Sequence, residues 1–218
     1  AARTNFSLAI KNDGTAWAWG SNDWGQLGDG GPTTQRTSPV QVSGLTDVVA
    51  IAAGDLFSLA LKSDGTVWSW GENIFGALGD GTTTDHHTPA QITGVSNVIA
   101  IAAGYSHGLA LKKDGTIKAW GYNNNGQLGD NSTTQRNSPV QVSGLAGAVA
   151  ISAGLSNSLA LKTDGTVWAW GWNDYSQLGD GTTTQRNTAV QVSGLTGVIA
   201  ISTGYAHGIA ILNDNTIK

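Results

Sequence analysis

The sequence repeats itself every 50 residues, and this period constrains the fold more than any local pattern does. A Leu/Ile-Ala-Leu/Ile motif preceded by Ser or Gly recurs from Ser7, Ser58, Gly108, Ser158 and Gly208. Asp-Gly-Thr follows at Asp13, Asp64, Asp114 and Asp164, and decays to Asp214-Asn215-Thr216. A Trp-Gly pair comes next at Trp19, Trp70, Trp120 and Trp170, then Leu-Gly-Asp from Leu27, Leu78, Leu128 and Leu178. Residues 104–153 and 154–203 are identical at 32 of 50 positions. The single extra residue of the first repeat lies in Gly30-Gly31-Pro32. The 218 residues therefore read as one repeat array, with units 1–51, 52–101, 102–151 and 152–201 and a partial unit 202–218.

Each unit reads as four short strands. Phe57 to Lys62 alternates, with Leu59 and Leu61 on one face, and Val67 to Trp70 alternates again. Asp-Gly between them predicts a hairpin whose two central residues both have positive φ. A turn-rich loop runs from Gly71 to about Pro89. A third strand centres on Val140-Gln141-Val142, in the next unit. The fourth is the apolar run Val98 to Ala102, the pattern of a strand buried on both faces. No segment holds a 3.6-residue period long enough for a helix. A single four-stranded unit cannot cover its own apolar faces, whereas stacked units can. The fold class is thus all-β, a β-propeller of four-stranded blades comprising about four and a third 50-residue repeats.

Composition narrows function. There is no Cys, which removes disulfides, thiolate metal sites and cysteine nucleophiles. A net charge of −4 supplies no basic stripe for nucleic acid, and no apolar run is long enough to insert in a membrane as a helix. No Gly-x-Ser-x-Gly elbow, phosphate loop or dinucleotide fingerprint occurs, so no enzyme and no cofactor are expected. His86-His87, and the lone Asp of each Gly-Asp-Gly-Thr loop, are too sparse for a metal site; Asp29, Asp80, Asp130 and Asp180 read as loop caps. The absence of Cys and Met, with few Lys and abundant Thr, Asn and Gly, suits an extracellular or cell-surface protein.

The units resemble the repeat of the regulator of chromosome condensation family, in its bacterial type. Ala103-Gly104-Tyr105-Ser106-His107-Gly108-Leu109-Ala110-Leu111, Asp114-Gly115-Thr116 and Trp120 to Gly129 carry the resemblance most fully, and it spans the whole chain. It implies a seven-bladed propeller, of which this chain is expected to be an incomplete part. Further blades, or self-association of two copies, would close the ring. It also implies protein binding. The founding members are nucleotide-exchange factors for a nuclear GTPase, and bacterial relatives include an inhibitor of β-lactamases.

In an antiparallel meander, successive loops fall on alternate ends. The near-constant Asp-Gly-Thr and Ser-Gly-Leu turns share one end, and the variable loops after Trp-Gly and Ala-Gly share the other. The candidate partner-binding residues are those of the variable end: Trp24, Phe57, Ile74, Phe75, Tyr105, His107, Tyr122, Trp172, Tyr175, Tyr205 and His207. Exposed Trp and Tyr on scaffolded loops are what protein hot spots use. The constant Asn22, Asn73, Asn123 and Asn173 read as loop scaffolding, and the Trp of Trp-Gly as core. The expected function is a non-enzymatic protein–protein interaction module. Carbohydrate binding by the same aromatics, or a structural repeat in a larger surface assembly, are the alternatives. Nucleotide exchange on a small GTPase needs an insertion that the regular period does not contain.

Overall fold

Alternating small and large apolar residues, punctuated by glycine every few positions, build seventeen strands and no helix across residues 1–218, all described by the computed structural model. They form five antiparallel sheets. The first holds β1 (Phe6–Ile10), β2 (Ala16–Gly20) and β3 (Arg36–Gln41). The second holds β4 (Val48–Ala53), β5 (Phe57–Lys62), β6 (Val67–Gly71) and β7 (His86–Gln91). The third, β8 (Val98–Ala103) to β11 (Arg136–Gln141), includes β9 (His107–Lys112) and β10 (Ile117–Gly121). The fourth runs from β12 (Ala148–Ala153) through β13 (Asn157–Lys162) and β14 (Val167–Gly171) to β15 (Arg186–Gln191). The last has only β16 (Val198–Thr203) and β17 (Gly208–Leu212).

The apolar run that closes each sequence repeat opens the next sheet: β8 pairs with β9, with Ala102 opposite Leu109. The sheets are therefore offset by one strand from the sequence units. These runs form the inner row, β4, β8, β12 and β16, which lie side by side. They are not buried on both faces. The ladder bulges between Val98 and Ala100, and the bulged Ile99 is exposed, as are Val49, Val149 and Ile199. The outer strands begin inside the stretch read as loop, at Arg36, His86, Arg136 and Arg186. They carry Pro39, Pro89 and Pro139, which an edge strand tolerates because its outward N–H needs no partner.

The hairpins also differ from expectation. Ser63-Asp64-Gly65 is a three-residue loop closed by the Lys62 N–H to the Thr66 carbonyl. Only Gly65 has positive φ; Asp64 instead accepts from the Thr66 amide and hydroxyl. A bulged three-residue loop puts a single residue in the left-handed region, and the Asp side chain closes the turn from inside.

The core lies between sheets. Phe57, Leu59, Leu61 and Val67 of the second sheet pack with Val98, Ala110 and Trp120 of the third, and the other neighbours repeat the scheme. Between the fourth and fifth sheets no tryptophan contributes.

Candidate functional site

The variable loops do gather at one end. The amide after each Trp-Gly reaches the neighbouring inner loop: Glu72 to the Leu56 carbonyl, Tyr122 to Ser106 and Trp172 to Ser156, at 2.8–2.9 Å. The inner loops link from blade to blade, Asp55 N–H to Tyr105 carbonyl, Tyr105 to Gly154 and Leu155 to Tyr205.

A buried asparagine holds each outer loop. Asn73 Oδ1 accepts from the Leu78 amide at 2.9 Å, and its Nδ2 donates to Asp80 and the Thr84 carbonyl. Asn123 and Asn173 do the same, and Asn22 uses the Leu27 amide, Asp29 and the Pro32 carbonyl. Each loop aspartate then meets the cation that starts the outer strand: Asp29 with Arg36, Asp130 with Arg136 and Asp180 with Arg186, while His86 takes that place beside Asp80. Burial pushes the Asp180 carboxyl up, but hydrogen bonds from Thr182 and Arg186 outweigh it and hold the pKa at about 2. These residues are scaffold, and they leave the intervening side chains free.

Trp24, Ile74, Phe75, Tyr105, Tyr175 and Tyr205 are exposed, Tyr175 by 74%. Tyr122 and Trp172 are half-buried. Phe75 packs edge-on against Tyr122 of the next blade, centroids 5.0 Å apart, and Trp172 against Tyr175 at 5.2 Å. Part of each ring is thus spent on holding its neighbour, and the remaining faces point to solvent.

Two candidates are excluded. Phe57 and His107 are fully buried and cannot meet a partner. Both fill one slot, facing Gly71 or Gly121 across the ladder and packed under Gly54 or Gly104. His107 Nε2 lies 3.0 Å from Ser158 Oγ, and burial pulls its pKa down to about 3, with Arg3 adding to the shift. The sequence held the signal: Phe57 shares strand parity with Leu59 and Leu61, which points it into the core. His207 occupies the same slot in the fifth sheet and is exposed.

Acidic groups not singled out from the sequence share this end. Burial, together with nearby Asp85 and Asp55, raises the Glu72 pKa, and Asp55 raises that of the Tyr105 phenol. These carboxylates lie close to one another and to the Tyr105 phenol, and Arg3 is the cation that faces Asp55.

A fan of antiparallel sheets, three of them four-stranded, around an inner row defines a β-propeller built from repeats. The model of the RCC1-like domain matches residues 1–217, and the chain belongs to that family. It is 46% identical over 77 residues to a Protein RCC2 homolog of Danio rerio, covering 34% of this chain and 15% of that protein. Human WBSCR16 superposes with a TM-score of 0.86 at 24% identity, over 97% of this chain and 56% of the other. Prp20p of Saccharomyces cerevisiae, a protein with binding properties toward Gsp1p and histones, superposes with a TM-score of 0.84 at 23% identity, over 95% and 53%. The chain thus spans little more than half of these structures, and a smaller part of the curated relative. Their likeness in structure is one of fold.

Proposed function

We propose that this chain is a non-enzymatic protein-interaction module and that its aromatic loop end is the binding face. The observation that carries this reading is the cluster of solvent-facing rings, Trp24, Phe75, Tyr105, Tyr122, Trp172 and Tyr175, on loops fixed by the asparagine–aspartate scaffold. Rigid, amphipathic aromatic anchors lose little conformational entropy on binding and make good hot spots. The family supports a protein partner, since Prp20p binds Gsp1p and histones. The aspartates and Glu72 beside the rings add a preference for a partner rich in Lys and Arg. The lack of Cys and Met fits an extracellular setting for this encounter.

Affinity capture with the wild-type chain and with Trp24→Ala and Phe75→Ala variants tests the reading. The expected outcome is a partner whose affinity falls roughly tenfold or more in each variant while the melting temperature stays within a few degrees. Binding that ignores both substitutions would refute the aromatic face. Hits on a glycan array that depend on the same rings would replace the protein partner by a sugar.

A further inference from the structure

The outer strands of the first four sheets are alike except at one position. β3, β7 and β11 carry Pro39, Pro89 and Pro139 there, and β15 carries Ala189. The hydrogen-bond ladder fixes which way this position faces. Val190 lies opposite Ala169, and the Val192 amide donates to the Val167 carbonyl at 2.9 Å. Backbone groups alternate in direction along a strand, so the N–H and C=O of Ala189 and Gln191 point away from the sheet. Pro139 faces the same way, because β11 keeps the same ladder, with Val140 opposite Ala119 and the Val142 amide on the Ile117 carbonyl.

An outward row of unpaired N–H and C=O groups is a template for another strand, and sheet proteins guard such edges. Two guards recur here. A bulge interrupts each outer ladder, between Ala18 and Gly20, Ser69 and Gly71, Ala119 and Gly121, and Ala169 and Gly171. Proline is the second guard, since it removes the outward donor and sets its ring where an approaching strand would lie. The fourth sheet keeps the bulge and lacks the proline. The one charged side chain of β15, Arg186, is held by Asp180 at 2.7 Å within its own sheet, so it does not screen the edge. No loop backbone bonds to the outward groups of Ala189 and Gln191.

We propose that the β15 edge docks against the β15 edge of a second copy, the two strands antiparallel about a two-fold axis at Val190. A two-fold contact needs one surface that complements itself, and this edge does. The Ala189 N–H donates to the Gln191 carbonyl of the second copy, whose Gln191 N–H donates to the Ala189 carbonyl. The axis repeats both bonds. The two Val190 residues meet on the axis as a non-hydrogen-bonded pair, apolar against apolar.

The occupant follows from what each strand can offer. β3, β7 and β11 cannot take the place of the second β15, because their prolines lack the donor that Ala189 supplies. From Asn187 to Ser193 the chain carries no charge, so the two-fold axis brings no like charges together. So short an edge buries little surface, and the contact belongs to the weak, transient class. It lies on the outer strand, away from the aromatic loops, and leaves them open to a different partner.

The chain has no Cys, so one engineered thiol reports on the pairing. Val190→Cys sets two thiols across the axis, where the Cα atoms of a non-hydrogen-bonded pair lie about 4.5 Å apart, within reach of a disulfide. Val140→Cys puts a thiol at the same position of the third sheet, beside Pro139. In a glutathione redox buffer, Val190→Cys is expected to form a disulfide-linked dimer roughly tenfold or more faster than Val140→Cys. Adding Ala189→Pro to Val190→Cys removes the excess without lowering the melting temperature, since three sheets already hold proline there. Adding Pro139→Ala to Val140→Cys raises its rate toward that of Val190→Cys. Equal rates for the two single variants overturn the proposal. So does a Val190→Cys dimer that Ala189→Pro leaves unchanged.

Discussion

His107 shows how one side chain sets a property of the whole protein. The Ser158 hydroxyl gives its only proton to the Gln127 carbonyl, so the imidazole must donate from Nε2 and leave Nδ1 bare. That is a neutral ring, consistent with a pKa pulled down by burial to about 3. An unfolded histidine titrates near ~6.5. Between those values the unfolded chain binds a proton that the folded chain refuses. Stability is therefore complete above ~6.5 and falls on acidification by up to about 1.4 kcal/mol per pH unit. Phe57 fills the same slot one repeat earlier, where it meets Gly108 in place of Ser158; His107→Phe therefore gives up the Ser158 hydrogen bond, worth about 1 kcal/mol at every pH, together with the titratable group. Thermal melts should show the variant more stable than wild type at pH 5, with that advantage lost at pH 8. At this scale the sequence was legible wherever periodicity spoke. The constant Asn73 and its equivalents are scaffold, as their place in the repeat suggested, and the parity of Phe57 and His107 already pointed inward. What it could not show was Glu72, Asp55 and Asp85 converging, since the three are spread along the chain and meet only where loops of one end crowd together.

At the scale of the strand, the plugged tryptophan is the device that joins one sheet to the next. Trp120→Phe removes the Nε1 donor, orphans the buried Ala77 carbonyl and leaves a void beside Gly79. The loss should be about 3 kcal/mol, seen as a drop of roughly 10 °C in melting temperature. Trp19→Phe should cost clearly less, because Trp19 is half-buried where Trp120 is fully buried. Strand positions followed from alternation of side chains, but two details did not. The Asp-Gly hairpin takes a three-residue loop because Asp64 can close it with its own carboxylate while Gly65 alone adopts positive φ. The outer strand starts early because Arg136 is drawn to Asp130, a charge pair that no alternation pattern encodes.

For the whole molecule, each sheet is covered only by its neighbours, so stability is expected to be greatest where both neighbours are complete. Hydrogen exchange read by mass should find β9 and β10 of the third sheet most protected and β1, β16 and β17 least, in graded steps rather than one cooperative loss. Uniform protection along the chain would contradict a nearest-neighbour core. The sequence by itself determined the period, the strand count per period, the places of the turns and the family, because these depend on residues close together in the chain and repeat unchanged. It could not determine phase. A repeat looks the same from any starting point, so nothing local says whether Val98–Ala103 ends one unit or begins the next. Tertiary structure settles it through hydrogen bonds, since that strand pairs with β9. The same bonding places β4, β12 and β16 at the start of their own sheets, paired with β5, β13 and β17.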